Sequence, residues 1–444
     1  MNKLIPFWEF FTDPVLQAST ISSMLMCLAS SIMAVIVFIK RRSLIGEALS
    51  HATYPGIALS VLMCAGLFTK APGVFPFVLL IGALISSLLG MRLITFMEEK
   101  LSVKSDSALC FVLSTFLGFG VFFASRLQFS HPIWFQKIQM FLYGQAATML
   151  SIHVILYAIL TLIIALFVVF LFYQIQAIGF DKMYTKVLGL RVNLIESLTL
   201  ILIVIAVVIG IRSVGVVLMS GMLIAPAAAA RQLTNNLSKM FLFSGFFGVI
   251  SGFLGNYFSV NLSIYLMQVR PLWRVSLPTG PMILIVAACI TFLCLILAPN
   301  RGLVTRLYRR QKFQLKVLRE NILKEMYKTG SGQSFIQLGR RHRIFAPILL
   351  IVVCLMRLQG WISKENKLYI LSDKGTKKAC RIIRLHRLWE VYLYTHLGYL
   401  AENVHKSAEE MEHIITPNLE KKLSQLLKDP KLDPHDQIIP AGDG

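Results

Sequence analysis

This 444-residue sequence is poor in charge: Asp, Glu, Lys and Arg make up 15% of it, against 56% apolar residues. Soluble domains carry about 25% charged residues, so most of this chain belongs in lipid. Cysteine is sparse as well. The seven thiols, Cys27, Cys64, Cys110, Cys289, Cys294, Cys354 and Cys380, show no C-x-x-C spacing, and the first five lie in apolar stretches where a thiol behaves as a small hydrophobe. No disulfide framework is expected. The sequence has no G-x-x-x-x-G-K-[ST], the loop whose backbone amides cradle phosphates, which excludes ATP hydrolysis by that route. Its N-terminus lacks a basic region followed by an apolar stretch and a small-residue cleavage site, so no cleaved signal peptide is expected and the first span serves as its own insertion signal. Only three of the nine histidines precede residue 300.

What the first 300 residues do contain is a series of apolar stretches. An α-helix needs about 20 apolar residues to cross the hydrocarbon, and such stretches fall near 15–39, 44–68, 72–96, 107–125, 151–172, 195–211, 213–230, 240–260 and 281–299. About nine spans are expected, with a short apolar patch at 140–150 that is either interfacial or re-entrant. Connections on one side (Lys40, Arg41, Arg42; Lys100, Lys104; Lys182, Lys186, Arg191; Arg231, Lys239) carry ten basic residues against seven on the other, and Arg301, Arg306, Arg309, Arg310 and Lys312 follow the last span directly. Cationic residues are retained in the cytoplasm. The N-terminus is therefore expected outside and the C-terminal region inside.

After Pro299 the composition changes. Residues 301–387 carry 21 basic and 4 acidic residues, and 388–444 carry 5 and 10. An anion-binding lobe is followed by a cation-binding lobe. A basic helix ending near Thr329, a short segment from Ser334 to Gly339, a helix from Pro347 to Leu358 and a hairpin turning at Lys364–Lys367 make a winged helix-turn-helix. A long helix from Lys374 to Leu397, stopped by Gly398, then precedes helices near Glu402–His413 and Pro417–Lys428 and an irregular tail. The fold class is mainly α: a polytopic membrane domain over 1–300, a basic juxtamembrane linker over 301–312, a winged helix-turn-helix over 313–373, and a small helical metal-sensing and dimerisation domain over 374–444.

Several residues carry chemistry. Glu47 and His51 lie four apart within the second span, on one helix face able to hold a divalent ion. An ionisable residue in a span is costly unless it faces a cavity or partner, although a hydrogen bond between the two, or a Glu47 that reaches water, accounts equally well for the pair. In the soluble part His405, Glu409, Glu412 and His413 fall at offsets of 0, 4, 7 and 8, on one face of a helix, and His386 with Glu390 makes a second pair four apart. Imidazole and carboxylate donors suit Mn(II), Fe(II), Co(II) or Zn(II). Arg340, Arg341, His342 and Arg343, with Lys364, Lys367, Lys374, Lys377 and Lys378 near the wing, suit phosphates or, as a rival, anionic lipid headgroups. The helix over 347–356 offers few groups able to bond base edges. No catalytic residue is identified.

Two resemblances follow. Ser50-His51-Ala52 with Pro55-Gly56, and Gly215–Leu218 leading into Leu223–Ala230, resemble the membrane subunits of bacterial zinc, manganese and iron ABC importers, the ABC-3 permeases, over most of residues 15–300. This implies Glu47 and His51 on the metal path, where such permeases commonly have Asp in the first place. It also implies a cytoplasmic coupling helix in the insert Gly179–Leu190, marked by Gly179, Asp181 and Gly189, a separate ATPase, an extracytoplasmic metal-binding protein, and a second permease subunit or a copy of this one. His386-Arg387-Leu388-Trp389-Glu390, Val404-His405 and Glu409-x-x-Glu412-His413 resemble the diphtheria toxin repressor family over residues 313–444. By that resemblance His386, Glu390 and His405 form one site, and Glu409, Glu412 and His413 contribute to an adjacent one. The remaining ligand of the adjacent site falls near Val317 or Leu318, neither of which coordinates metal, so that this site is incomplete or completed by Glu320 or water. The implied function is a divalent-metal permease, for Fe(II) or Mn(II) before Zn(II), fused to a homodimeric metal-dependent repressor that binds operator DNA and is anchored to the inner membrane or freed by proteolysis. A cytoplasmic gate with no DNA role is the alternative.

Overall fold

Length and apolarity alone build the first half. The computed structural model describes residues 4–70, 75–144, 149–269, 277–342 and 345–441, and divides into two compact units, Met1–Thr305 and Arg306–Gly444. The first holds α1 (Glu9–Thr12), α2 (Pro14–Ile39), α3 (Ile45–Lys70), α4 (Phe75–Glu99), α5 (Ser105–Ser130), α6 (Pro132–Tyr143), α7 (Ser151–Phe170), α8 (Phe172–Phe180), α9 (Lys182–Val187), α10 (Val192–Val214), α11 (Val216–Met222), α12 (Ala225–Leu233), α13 (Leu237–Val269) and α14 (Thr279–Leu297). Among the described residues seven of these, α2, α4, α5, α7, α10, α13 and α14, are long and apolar enough to cross a membrane. Helix α3, of 26 residues, covers the expected second span.

The expected span over 213–230 is not one helix. Gly215 has φ +97° and ψ 158°, a conformation open essentially to glycine alone, and it separates α10 from α11. Pro226 then sits in the first turn of α12, where its missing N–H costs nothing, although inside a continuous helix it would delete a hydrogen bond and clash. Apolarity runs unbroken here, but the backbone breaks twice. The expected count of about nine spans therefore does not correspond to nine continuous helices among the described residues.

Small residues decide how the membrane helices pack. A Cβ on Gly248 would lie 2.5 Å from the Cys27 carbonyl oxygen and one on Gly252 2.8 Å from that of Ser23, so α13 rides directly on the backbone of α2. In lipid, close approach and interhelical hydrogen bonds replace the hydrophobic effect as the driving force. The seam has both, since Asn256 donates to the Thr20 hydroxyl at 2.8 Å and Ser244 to the Ser31 carbonyl at 2.7 Å. Helix α4 meets α3 in the same way: Ser86 donates to the Ala52 carbonyl at 2.6 Å.

The second unit is built on α15 (Leu303–Thr329), which is helical through most of the stretch expected as a linker. Strand β1 (Gln333–Ser334), α16 (Phe335–His342), α17 (Ala346–Leu358), β2 (Ile362–Glu365) and β3 (Leu368–Leu371) complete the winged domain. The sheet order is β1-β3-β2, all antiparallel, with Gln333 opposite Tyr369 and Lys364 opposite Tyr369 on the other edge. Asn366 and Lys367 both have positive φ, the backbone that tightens a two-residue hairpin turn. Ile322, Leu323, Met326, Leu338, Leu349, Val352, Val353, Met356 and Ile362 form the core.

Helix α18 (Asp373–Leu397) follows, capped by Ser372 and ended by Gly398 at φ +67°, where the left-handed cap suits glycine. Helices α19 (Ala401–Met411) and α20 (Pro417–Leu426) pack on it. Arg381 donates from Nε and a terminal nitrogen to the same Glu420 oxygen at 2.9 and 2.8 Å, tying α18 to α20.

Candidate metal centre

Two helices converge in the second unit. Helix α18 supplies His386 and Glu390 from adjacent turns, α19 supplies His405, and their donor atoms meet. His386 Nε2 is 2.9 Å from His405 Nδ1 and 3.2 Å from Glu390 Oε1, and His405 Nδ1 is 3.0 Å from Glu390 Oε1. His386 and Glu390 are buried, whereas His405 opens to solvent, so the centre has a buried floor and an accessible face. Among the described residues this is the one group of three ligand side chains whose donor atoms lie together.

The donor set fits a divalent transition ion. The donor atoms lie 2.9–3.2 Å apart as hydrogen-bonded groups, close enough for one ion to gather all three. Two imidazoles and one carboxylate with open positions suit Fe(II) and related ions.

Behind the triad lies a buried polar layer. The Glu412 carboxylate contacts His386 Nδ1 at 2.5 Å; with an Nδ1–H donating to it, loss of the Nε2 proton would turn the Nε2 lone pair to an ion in the triad, the orienting role a carboxylate plays behind a ligating histidine. Lys324, from α15, donates to both Glu412 oxygens at 3.0 and 2.9 Å and lies 3.3 Å from His386 Nδ1. His413 Nδ1 is 2.8 Å from Glu320 Oε2, while Lys316 donates to the His413 carbonyl at 2.7 Å. His413 Nε2 is buried without a hydrogen-bond partner.

Electrostatics follow from these contacts. Burial pushes the Glu390 carboxyl up, but hydrogen bonds from His386 and His405 outweigh it and hold it down to about 2. Burial likewise raises Glu412 and Glu320, yet His386 and Lys324 lower the first, and His413, Lys316 and Lys378 lower the second. Burial would lower His386, and its bonds to Glu390 and Glu412 raise it instead.

Helix α19 ends at Met411, but Glu412 keeps helical backbone angles and its amide still bonds the Ala408 carbonyl at 3.0 Å. Glu412 and His413 are buried, while His405 and Glu409 are exposed. Thr416 precedes Pro417, and a residue before proline disfavours helical backbone, which limits how far α19 can run. Lys324 was the residue that sequence reasoning missed. Its signal is the spacing of four from Glu320, which puts it on the same face of an otherwise exposed basic helix.

The winged domain displays Arg340, Lys364 and Lys367 to solvent. Arg341 pairs with Glu325, and His342 Nε2 contacts the same carboxylate at 2.6 Å; Arg343 lies outside the described residues. The outward face of α17 carries Ile348, Leu350, Ile351, Cys354 and Leu358, all exposed, and none of these side chains reads a base edge well.

In the membrane unit Glu47 occupies the first turn of α3, with His51 one turn on, both half-buried. The expected coupling insert, Gly179–Leu190, holds the end of α8 and the whole of α9. Asp181 caps α9 by accepting from the Met183 and Tyr184 amides at 2.8 and 3.0 Å, and Gly189 follows at φ +78°. Phe180, Met183, Tyr184 and Val187 stand exposed around it. Glu196 accepts from Lys182 at 2.5 Å and lies 3.8 Å from Lys40, pinning α9 and the end of α2 to α10.

Comparison with known proteins decides the family. The profile of the ABC 3 transport family matches residues 12–298. The chain belongs to that family. The metal binding and dimerisation domain of the iron dependent repressors matches residues 372–441, so this ABC 3 permease is continued by a repressor-type sensor. A probable metal transport system membrane protein of Chlamydia pneumoniae is 37% identical over 440 residues, covering 97% of this chain and 98% of the relative. The manganese transport system membrane protein MntC of Bacillus subtilis is 30% identical over 397 residues, 87% of this chain and 86% of the relative. PsaBC from Streptococcus pneumoniae, solved in complex with Fab, is 25% identical, with a TM-score of 0.53 over 66% of this chain and 96% of that one. The chain is thus a multi-pass metal-transport permease fused to a regulator-type domain.

Proposed function

We propose that the permease imports Mn(II) or Fe(II), with Zn(II) a weaker candidate, and that the C-terminal unit senses the same ion. The observation that carries this reading is the convergence of His386, Glu390 and His405, an imidazole and carboxylate donor set with one open face that suits Mn(II) or Fe(II) and also accepts Zn(II). Glu47 and His51 line the path, a role supported by their shared face on α3 and their half-buried placement. A separate ATPase docks on α9, supported by the exposed apolar side chains around it, and an extracytoplasmic metal-binding protein delivers the ion. The translocation path forms with a second permease subunit or a copy of this chain. By the positive-inside rule the N-terminus faces outward and the sensor lies in the cytoplasm of a bacterial inner membrane.

The sensor dimerises through its C-terminal helices and binds operator DNA when loaded, with Arg340, Arg341, Arg343, Lys364 and Lys367 on phosphates. Proteolysis near the start of α15 frees it to search the chromosome. The apolar outward face of α17 favours a second reading, a metal-sensing gate that packs against protein and leaves DNA alone. Both are tested on the full chain in detergent. Metal-dependent, salt-sensitive and sequence-selective retention of promoter fragments supports the repressor; loss of transport control without any selective DNA binding supports the gate. Uptake of each ion into vesicles holding the chain and its ATPase ranks the metals.

A further inference from the structure

The repressor resemblance implies two adjacent ion sites, and this chain's residues fit only one. Resting on the metal-binding reading of the triad, we infer that the Lys324 ammonium is a built-in cation standing where a second divalent ion would bind, so that each sensor unit takes a single ion.

Of the second ligand set, Val317 has no donor and Glu409 is exposed. Glu320, His413 and Glu412 do lie together, with His413 Nδ1 2.8 Å from Glu320 Oε2 and His413 Nε2 3.4 Å from Glu412 Oε1, and Glu320 is 3.4 Å from Lys378. Glu412, a ligand of the adjacent site by that resemblance, has each oxygen taken by Lys324 at 3.0 and 2.9 Å. The Lys324 side chain is 8% exposed and that of Glu412 is 0%. A divalent ion brought to Glu412 would meet an ammonium at contact distance in a buried setting, where like-charge repulsion is little screened.

Lys324 also does what a second ion would do mechanically. It joins α15, through its own stem, to the Glu412 turn and to His386 on α18. The winged domain is therefore fastened to the sensor whether or not metal is present. The ion-dependent step is confined to α18 and α19, where His405 is the exposed and movable member of the triad.

The experiment counts Mn(II) bound per full-length chain in detergent, relative to the double variant His386→Ala/Glu412→Ala, which retains the membrane sites and loses the sensor. Wild type is expected to bind one ion above that baseline, Lys324→Met two, and Lys324→Arg one. Electron paramagnetic resonance gives an independent readout: isolated Mn(II) in wild type and a spin-coupled pair in Lys324→Met. Two ions or a coupled pair in wild type would overturn the inference, as would a Lys324→Met chain that still binds only one. Zero ions above baseline in wild type sinks the metal-binding reading itself, a distinguishable failure. Should Lys324→Met not fold, the wild-type count and spectrum still decide.

Discussion

Glu412 holds His386 by its far nitrogen: the carboxylate oxygen lies 2.5 Å from Nδ1, leaving Nε2 pointed at Glu390 and His405. One bond therefore fixes both the tautomer and the ring orientation of a ligand. Glu412→Gln keeps the shape and removes the charge, and it is expected to weaken Mn(II) binding by about 10–100-fold, the usual cost of losing a partner behind a ligand. Equilibrium dialysis of the full chain measures it; an unchanged affinity would refute the orienting role.

Proton linkage has a definite sign. His386 is raised, so its stabilisation of the metal-free sensor is complete below its unfolded value of about 6.5 and is lost as pH climbs through the raised native value. Glu390, Glu412 and Glu320 are lowered, so theirs is complete above about 4.3 and is lost on acidification, for Glu390 down to about 2. In chelator, amide-exchange protection of α18 should be greatest between roughly pH 4.3 and 6.5. Metal affinity should rise with pH across the His386 titration, because the ion must displace its proton.

The proposed metal path is tested at the α3 pair. Glu47→Ala and His51→Ala should each abolish ATP-driven Mn(II) uptake in vesicles, while Glu47→Asp, which shortens the reach but keeps the carboxylate, retains part of it. Full activity in Glu47→Ala would place the path elsewhere.

Docking of the ATPase is the test of α9. Val187→Asp puts a charge on an exposed apolar position and should cut co-purification of the ATPase and uptake together, leaving metal binding to the sensor unaltered. Asp181→Ala removes the cap and should cost about 1 kcal/mol of local helix stability.

Packing in the winged core gives a control of known size. Leu323→Ala, at a fully buried site, should destabilise the second unit by about 2–5 kcal/mol. Leu350→Ala, on the open face of α17, should stay within about 0.5 kcal/mol.

Much of this was legible in the residues. Long apolar runs become membrane helices, Gly398 ends α18 because glycine accepts the left-handed cap, and the turn at Lys364–Lys367 closes the wing. The pairs His386 with Glu390 and Glu47 with His51 are visible as spacings of four. What escaped depended on three-dimensional placement. Hydropathy averages over Gly215 and Pro226 and so hid the two breaks after α10. The offsets of His405, Glu409, Glu412 and His413 do not say which of them the neighbouring helices cover: Glu412 and His413 are buried and Glu409 is exposed. Lys324 sits in a basic helix and reads as solvated; only the approach of α18 and the Glu412 turn makes it internal.

The start of α15 has one more consequence. Residues 306–314 are helical with every side chain exposed, so this stretch has little packing to hold it and only its intrinsic propensity, which is marginal for so short a length. Proteases take their substrates as extended chain. The joint between transporter and sensor is then a latch whose strength is that of a few unsupported helical turns. Glycine at Arg309 or Arg310, which weakens each by roughly 1 kcal/mol, should hasten release of the C-terminal fragment in cells, and alanine at Tyr308 should slow it.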